Sequence, residues 1–287
     1  MKVTLNESLL SFEIGVLFPF GHGVGDTFLE RLDDGHAGPI ILSTTFTFFD
    51  IPYDALFINI DGAISFQSKI REFEPIRFPL TNDVIIAPFW ADVNTDPYMG
   101  AGDVMFREEL PTNENTAIFS RANGIIRDMF IEQELFQASW LLVATWENVT
   151  FYDVDSPLSG PKNTFQCVLV TDGDFSGVIF IYDTITWTGG GSGANSGDNG
   201  YSTATGLGGI AAEAGFNAGN GKNYHIIPGS GTADIVDIDL GSNTGERGTW
   251  VYQVDGAVIR DTTFPVNTSP RHPHARRHIG SAGWSLS

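Results

Sequence analysis

Short runs of β-branched and aromatic residues recur along this chain between clusters of Gly, Asn, Asp and Pro. Such runs, bounded by turn-forming residues, are typical of β-strands, and the three-and-four spacing of helices is nearly absent. The clearest unit covers residues 55–66, in which apolar residues alternate on both sides of Asp61-Gly62. Because Asp-Gly readily adopts the positive φ angles of a type I′ turn, we predict a two-residue β-hairpin at this point.

The same pattern predicts strands over much of the remaining chain. They cover residues 40–49, 84–90, 104–107, 140–149, 164–171, 177–183, 224–227 and 250–254. Asp172-Gly173 lies between two of these runs and predicts a second hairpin turn. Many short strands separated by turn signals predict an all-β fold, a large sandwich-like antiparallel domain.

One segment departs from the strand pattern and predicts a single α-helix near residues 116–134. Its apolar residues recur at spacings of three and four, which places them on one helical face. They are Ile118, Ala122, Ile125, Ile126, Met129 and Phe130. Pro111 and the Asn-rich stretch at 113–115 precede the segment and supply a loop and a candidate cap. We expect this helix to pack on an edge or a face of a sheet.

Composition divides the chain into three parts. We predict an N-terminal extension at 1–15, one domain at 16–260 and a disordered basic tail at 261–287, which holds Arg, His and Pro but few apolar residues. Residues 189–200 are rich in Gly, Ser and Asn, which predicts a surface loop within the domain. Asn6, Glu7 and Glu13 interrupt the leucines near the N-terminus, so this pattern does not predict a signal peptide.

The charge balance excludes some classes of partner. The chain has 35 acidic and 15 basic side chains among 287 residues, a formal net charge of -20. A surface this acidic repels nucleic-acid phosphates and anionic headgroups and attracts cations. The longest apolar stretches, at 84–90 and 140–144, are shorter than the roughly 20 residues that span a bilayer. We therefore predict neither nucleic-acid binding nor membrane insertion.

Seven sequence blocks, spread in order along the predicted domain, carry a family resemblance. They are LFPFG (17–21), FINIDGAISF (57–66), IAPFWADV (86–93), VATWENV (143–149), NTFQCVL (163–169), AGFNAG (214–219) and IPGSG (227–231). In these blocks the chain resembles the nidogen-like (NIDO) domain family. The resemblance implies an extracellular, secreted glycoprotein module of cell-matrix adhesion, whose partners are extracellular matrix or cell-surface proteins.

Enzyme motifs are missing from the sequence. It contains no G-x-S-x-G elbow, no H-E-x-x-H, no C-x-x-C and no P-loop. Inside the predicted domain, His22, His36 and His225 are the candidate neutral-pH bases, and no spacing pairs them with a nucleophile. The single cysteine, Cys167, alternates with apolar neighbours on its predicted strand and should point into the core. We predict a non-enzymatic protein without a cofactor, calcium being left open.

Calcium is left open because of an acidic segment that follows the strand at 84–90. Asp92, Asn94 and Asp96 alternate, and Asp103 lies eleven residues after Asp92. Oxygen ligands at alternate positions can converge on one ion, although Pro97 stands where an EF-hand loop requires Gly. The alternative is a solvated acidic loop between two strands. Other carboxylate pairs, including Asp33-Asp34, are interpreted as solvated loops and strand ends.

Two further groups of residues bear on the surface chemistry. Asn-x-Ser/Thr sequons at Asn6, Asn148 and Asn267 are candidate glycosylation sites if the chain is secreted. Five tryptophans could stack on sugars, but at strand positions they are more often part of the core. They are Trp90, Trp140, Trp146, Trp187 and Trp250. Together with the acidic loops, they leave a calcium-dependent carbohydrate-binding module as the alternative function.

Overall fold

The computed structural model describes residues 17–190 and 202–261 of the chain. The predicted N-terminal extension, nearly all of the predicted basic tail and most of the predicted Gly/Ser/Asn loop lie outside the described residues. The limits of 16–260 for the domain therefore stay a prediction.

Within the described residues, thirteen strands form two antiparallel sheets. The first sheet has the order β1-β7-β8-β9-β10-β13, with β6 also paired to β8, and the second has the order β12-β11-β5-β4-β3-β2. The strands are β1 (Thr27–Phe28), β2 (His36–Phe48), β3 (Ile51–Asn59), β4 (Ala63–Phe66), β5 (Thr81–Trp90), β6 (Val93–Asn94), β7 (Asp103–Glu109), β8 (Trp140–Phe151), β9 (Asn163–Thr171), β10 (Ser176–Thr184), β11 (Glu213–Asn220), β12 (Tyr224–Ile226) and β13 (Thr249–Gln253).

Aromatic side chains join the two sheets across the main core. Phe180 on β10 stacks on Phe216 on β11 with ring centroids 5.3 Å apart. Phe89 on β5 and Phe165 on β9 approach to 5.5 Å in the same layer. Burial of large apolar rings between two sheets supplies most of the stabilisation of a sandwich. The predicted all-β sandwich is confirmed.

The predicted helix is present as α1 (Thr116–Met129), followed by a short 3₁₀ turn at Ile131–Gln133. Ile118, Ala122 and Ile126 are buried on one side of α1. They form a second apolar cluster with the outer face of the first sheet, including Val168 and Ile179. The helix thus covers the side of this sheet that faces away from the main core. None of the helices in the described part of the chain is long and apolar enough to cross a bilayer.

The first hairpin turn differs from its prediction. Asn59 pairs with Ala63, so Ile60, Asp61 and Gly62 form a three-residue connection. Gly62 has a φ of 76°, and Asp61 is not among the residues with positive φ, which excludes the predicted type I′ turn. A three-residue loop that ends in a left-handed residue is the next most common hairpin. The consequence is that the Asp61 side chain turns inward and is buried.

Strand β11 was missed by the sequence pattern. Its segment, Glu213–Asn220, contains two glycines and two alanines, which have low strand propensity. Gly215 explains this composition, because a Cβ atom there would lie 2.1 Å from the carbonyl oxygen of His225 on the neighbouring strand. The close approach of two backbones, rather than local propensity, selects small residues here.

Candidate metal centre

Three carboxylates from two distant segments of the chain meet at one end of the sandwich. Oxygen atoms of Asp33, Asp34 and Asp92 all lie within 4.8 Å of one another. They line a cavity of about 230 Å³ whose other walls are Phe73 and Tyr152. We call these three carboxylates the acidic cluster.

Both sheets contribute to the position of the cluster. Asp33 and Asp34 lie in the loop between β1 and β2, and Asp92 lies between β5 and β6. A backbone hydrogen bond fixes the position of Asp92, because its carbonyl accepts from the Tyr152 N–H at 2.9 Å. Because β5 belongs to the second sheet and β6 pairs with the first, Asp92 occupies a crossing between the two layers.

The loop that carries Asp33 and Asp34 is anchored on both sides. Before the pair, the Leu32 N–H donates to Thr95 Oγ1 at 3.1 Å, and the Thr95 N–H donates to the Leu32 carbonyl at 3.0 Å. After the pair, the carbonyl of Gly35 accepts from the Ile60 N–H at 2.9 Å. These bonds hold the two carboxylates toward the cavity without any contact to the carboxylates themselves.

Asp92 is the most buried member of the cluster. The residue is 2% exposed. Among the described residues, its carboxylate has neither a hydrogen bond nor a salt bridge. Desolvation raises its pKa to about 7, and the negative charges of Asp33, Asp34 and Glu74 act in the same direction. A buried carboxylate without a partner is costly to ionise, and proteins relieve that cost with a proton or a cation.

Desolvation also raises the pKa of the other two members of the acidic cluster, Asp33 and Asp34. Desolvation, together with the charges of Asp34 and Asp96, raises the pKa of Asp33 to about 6. One of its oxygens, Oδ1, is inaccessible to solvent and has no hydrogen-bond partner within residues 17–190 and 202–261. Asp34 is exposed, and partial desolvation raises its pKa. The interpretation of Asp33-Asp34 as a simple solvated loop is therefore corrected for Asp33.

A fourth carboxylate, Asp61, lies directly behind the cluster. It is 6% exposed, and its Oδ1 accepts a hydrogen bond from the Val93 N–H at 3.1 Å. Burial raises its pKa well above the ordinary value, and the charges of Asp34 and Asp92 add to the effect. An adjacent cavity of about 340 Å³ is lined by Asp34 and Asp61 together with Lys69 and Arg71. Among the described residues, neither base forms a salt bridge with the four carboxylates.

The sequence-predicted calcium ligands occupy different environments. Asp92 belongs to the acidic cluster, but Asn94 Oδ1 accepts from the Asp96 N–H at 2.8 Å. Asp96 Oδ1 accepts from the N–H groups of Tyr98 and Met99 at 2.8 and 3.0 Å. These bonds stabilise the turn that follows β6. A calcium site on the predicted set stays a prediction.

Asp103, the last of the predicted ligands, forms an ion pair. Both of its oxygens accept from the guanidinium of Arg31, at 2.7 and 2.5 Å. The guanidinium of Arg31 therefore neutralises Asp103, and among the described residues it forms no ion pair with the acidic cluster. Sequence spacing did not indicate Asp33, Asp34 or Asp61 as neighbours of Asp92, because only the hairpin and the sheet crossing bring them together.

The remaining candidate residues are mostly structural. Asn148 lies on an exposed bend of β8, where its backbone N–H donates to Thr164 Oγ1 at 2.9 Å. Asn6 and Asn267 lie outside the described residues. Cys167 is fully buried in the main core, as its alternation predicted. The five tryptophans are all buried as well, the most exposed being Trp250 at 6%.

Comparison with known proteins gives a consistent set of relatives. The profile of a family described as "Nidogen-like domain" matches residues 54–256. Alpha-tectorin of Mus musculus is 40% identical over 245 residues, covering 85% of this chain and 11% of the relative. Alpha-tectorin of Gallus gallus is 39% identical, covering 94% of this chain and 12% of the relative. Nidogen-1 of Homo sapiens is 30% identical, with coverages of 88% and 20%.

The chain thus spans about an eighth or less of the length of the alpha-tectorins that it matches. No solved structure gives a significant match.

Proposed function

This chain belongs to the nidogen-like domain family, and we propose that it is an extracellular module that mediates cell-matrix adhesion through contacts with matrix or cell-surface proteins. The observation that carries the proposal is the likeness to alpha-tectorin and the nidogens over most of the chain. These relatives are extracellular matrix proteins, which supports a matrix role for the family module. The binding partner and the adhesive role belong to the proposal.

The described histidines lie in aromatic or partly buried surroundings. His22 stacks on Phe28 with ring centroids 4.1 Å apart, and His225 packs edge-on against Tyr252 at 5.1 Å. Desolvation lowers the pKa of His225 and of His36. A general base needs a nucleophile or a substrate proton within hydrogen-bond reach. In the described part of the chain, no histidine is hydrogen-bonded to a hydroxyl or a thiol.

The carbohydrate-binding alternative receives no support from the tryptophans. Stacking on a sugar needs an exposed aromatic face, and the five described tryptophans are core residues. Trp146, for example, donates its indole N–H to the carbonyl of Ile60 at 3.0 Å and ties β8 to the β3–β4 turn. We therefore propose protein contacts, rather than glycan contacts, as the mode of binding.

The test uses the full chain immobilised on a surface. A panel of purified extracellular matrix proteins is passed over it by surface plasmon resonance, and adhesion of cells to the same coating is counted. The proposal expects saturable binding to at least one matrix protein, competed by free folded chain but not by heat-unfolded chain. Absence of saturable binding, combined with no adhesion above an albumin coating, would refute it. A glycan array run in parallel distinguishes the alternative function, since saturable glycan binding there would favour a carbohydrate module.

A further inference from the structure

We propose that Asp33, Asp34 and Asp92 bind one calcium ion, which joins the β1–β2 loop to the crossing between the two sheets. The proposal goes beyond adhesion and does not depend on it. It also differs from the ligand set that sequence spacing indicates, with which it shares Asp92 only.

The geometry of the acidic cluster fits a single ion. Calcium binds oxygen ligands at about 2.3–2.6 Å, so two ligands of one ion lie at most about 5 Å apart. The oxygens of the three carboxylates lie within 4.8 Å of one another. One ion in the shared cavity can therefore contact all three residues without any movement of the backbone. Solvent or neighbouring carbonyls can complete the shell, because calcium accepts six to eight ligands of flexible arrangement.

The state of Asp92 points to a ligand independently of the spacing. Its carboxylate faces the cavity, while the residue as a whole is 2% exposed. Buried carboxylates in proteins are paired with bases, hydrogen-bonded or bound to metal. Among the described residues, the Asp92 carboxylate is neither paired with a base nor hydrogen-bonded. The Oδ1 atom of Asp33 is inaccessible and has no partner in the described part of the chain, so it is a second oxygen in need of a donor or a cation.

Surrounding charges increase the demand for a cation. Glu74 adds negative charge near Asp92, Asp96 adds it near Asp33, and the charges of Asp34 and Asp92 in turn act on Asp61. Lys69 and Arg71 line the neighbouring cavity on the side of Asp34 and Asp61. None of the ion pairs in the described structure includes Asp33, Asp34 or Asp92. A divalent ion would compensate charges that the described side chains leave unbalanced.

The donor set selects a hard ion. All three ligands are carboxylates, and the group contains neither histidine nor cysteine. Zinc and copper sites use imidazole or thiolate, whereas carboxylate oxygens suit calcium, magnesium and manganese. Magnesium requires near-ideal octahedral geometry and gives up its waters reluctantly. Three carboxylates fixed on two separate connections favour the larger, more adaptable calcium ion, at the weak affinities of about 10⁻⁴–10⁻³ M that extracellular modules use.

The anchored loop explains why the cluster can bind without rearrangement. Leu32 and Gly35, on either side of Asp33-Asp34, are hydrogen-bonded to Thr95 and Ile60. The loop therefore holds the carboxylates together against their mutual repulsion before an ion arrives. Such preorganisation lowers the entropic cost of binding.

The experiment uses the full chain after its metal ions have been removed with EDTA. Thermal unfolding gives the midpoint, and isothermal titration calorimetry gives the stoichiometry and affinity of calcium binding. Calcium chloride is added from micromolar to ten millimolar at constant ionic strength, with magnesium chloride as the competitor. The proposal expects one calcium per chain, a weaker response to magnesium and a midpoint that rises with calcium. At a hundredfold excess over Kd, the ratio of folded to unfolded chain should rise about a hundredfold.

Isosteric variants locate the site. Asp92→Asn should abolish the calcium response and raise the midpoint in EDTA, because it removes a buried charge. Asp34→Asn changes an exposed residue, so it should fold normally while it weakens calcium binding at least tenfold. Asp128→Asn, an exposed helical residue, is the control for loss of one charge and should respond like the natural chain. Asp96→Asn should retain the response and so distinguish this site from the ligand set indicated by spacing.

Two results would overturn the proposal. One is equal unfolding midpoints in EDTA and in ten millimolar calcium for the natural chain. The other is a calcium response that survives in both Asp34→Asn and Asp92→Asn. Neither result bears on matrix binding, and failure of the adhesion test leaves the calcium titration unchanged, so the two proposals fail separately.

Discussion

The guanidinium of Arg107 on β7 forms a buried ion pair with Asp26, 81 residues earlier in the chain, at 2.8 Å. Arg107 Nε also donates to Glu109 at 2.7 Å, and the second oxygen of Asp26 accepts from the Gly21 N–H at 2.6 Å. Every charge in this group therefore has a partner. The pair fastens the segment before β1 to the first sheet.

Removal of one partner from this pair should be strongly destabilising. Arg107→Met leaves Asp26 buried with an uncompensated charge, and we expect a loss of about 3–5 kcal/mol in the free energy of unfolding. Urea denaturation measures this loss in the free energy of unfolding. Arg31→Met is the matched control, since its pair with Asp103 is more exposed and should contribute at most about 1 kcal/mol. Equal losses in the two variants would contradict the assignment.

The packing of α1 on the first sheet should depend on its buried face. Ile126 is fully buried in the cluster between the helix and β9–β10, so Ile126→Ala should cost about 2–5 kcal/mol. Leu135, which is 89% exposed, provides the comparison, and Leu135→Ala should change the free energy of unfolding by no more than about 0.5 kcal/mol. A small effect of Ile126→Ala in denaturant titrations would show that the helix contributes little to the fold.

The acidic cluster should make stability depend on pH in the absence of divalent ions. The pKa values of Asp33 and Asp92 are raised to about 6 and about 7 in the folded chain, against an unfolded value of about 3.9. The folded state then binds more protons than the unfolded state between these values, so the contribution to stability is complete below pH 4 and is lost as pH rises toward 7.

A comparison of the natural chain with Asp92→Asn isolates this effect. The free energy of unfolding of both chains is measured in EDTA at a series of pH values. The stability of the natural chain relative to the variant should fall between pH 4 and pH 7 and level off above that range. A difference that stays constant with pH would exclude a raised pKa of Asp92.

Cys167 should react slowly with thiol reagents. The residue is fully buried, and desolvation raises the pKa of its thiol well above the ordinary value. The reactive thiolate is therefore scarce, and access requires opening of the core. Labelling with an aromatic disulfide should be at least a hundredfold slower in native buffer than in denaturant. Comparable rates in both conditions would place Cys167 at the surface.

Asn148 should carry a glycan when the chain is produced through a secretory pathway. Its side chain is exposed at the bend of β8, so a glycan would project into solvent. Treatment with a peptide-N-glycosidase should lower the mass of the natural chain by one glycan more than it lowers the mass of Asn148→Gln. Intact mass spectrometry measures both chains before and after treatment. An equal loss of mass in the natural chain and in Asn148→Gln would rule out a glycan on Asn148.

Local patterns in the sequence were sufficient for most elements. The strand at Trp140–Phe151 and the helix at Thr116–Met129 begin where the apolar periodicity predicted them. Burial of alternate residues, or of residues three and four apart, is a property of neighbouring positions, so it can be recognised without knowing the fold. The seven family blocks likewise identified the family from short stretches.

The acidic cluster and the first turn could be resolved only in three dimensions. Asp33 and Asp34 share the β1–β2 loop, whereas Asp61 and Asp92 belong to two other connections, and each looks like an ordinary turn residue in its own segment. They meet because β5 and β6 cross between the sheets and because the three-residue turn at Asp61 faces inward. Strand β11 is similar, since its Gly215 is required by the close approach of β12. Nearest-neighbour chemistry determines secondary structure and family, whereas long-range topology decides which distant charges share one desolvated cavity.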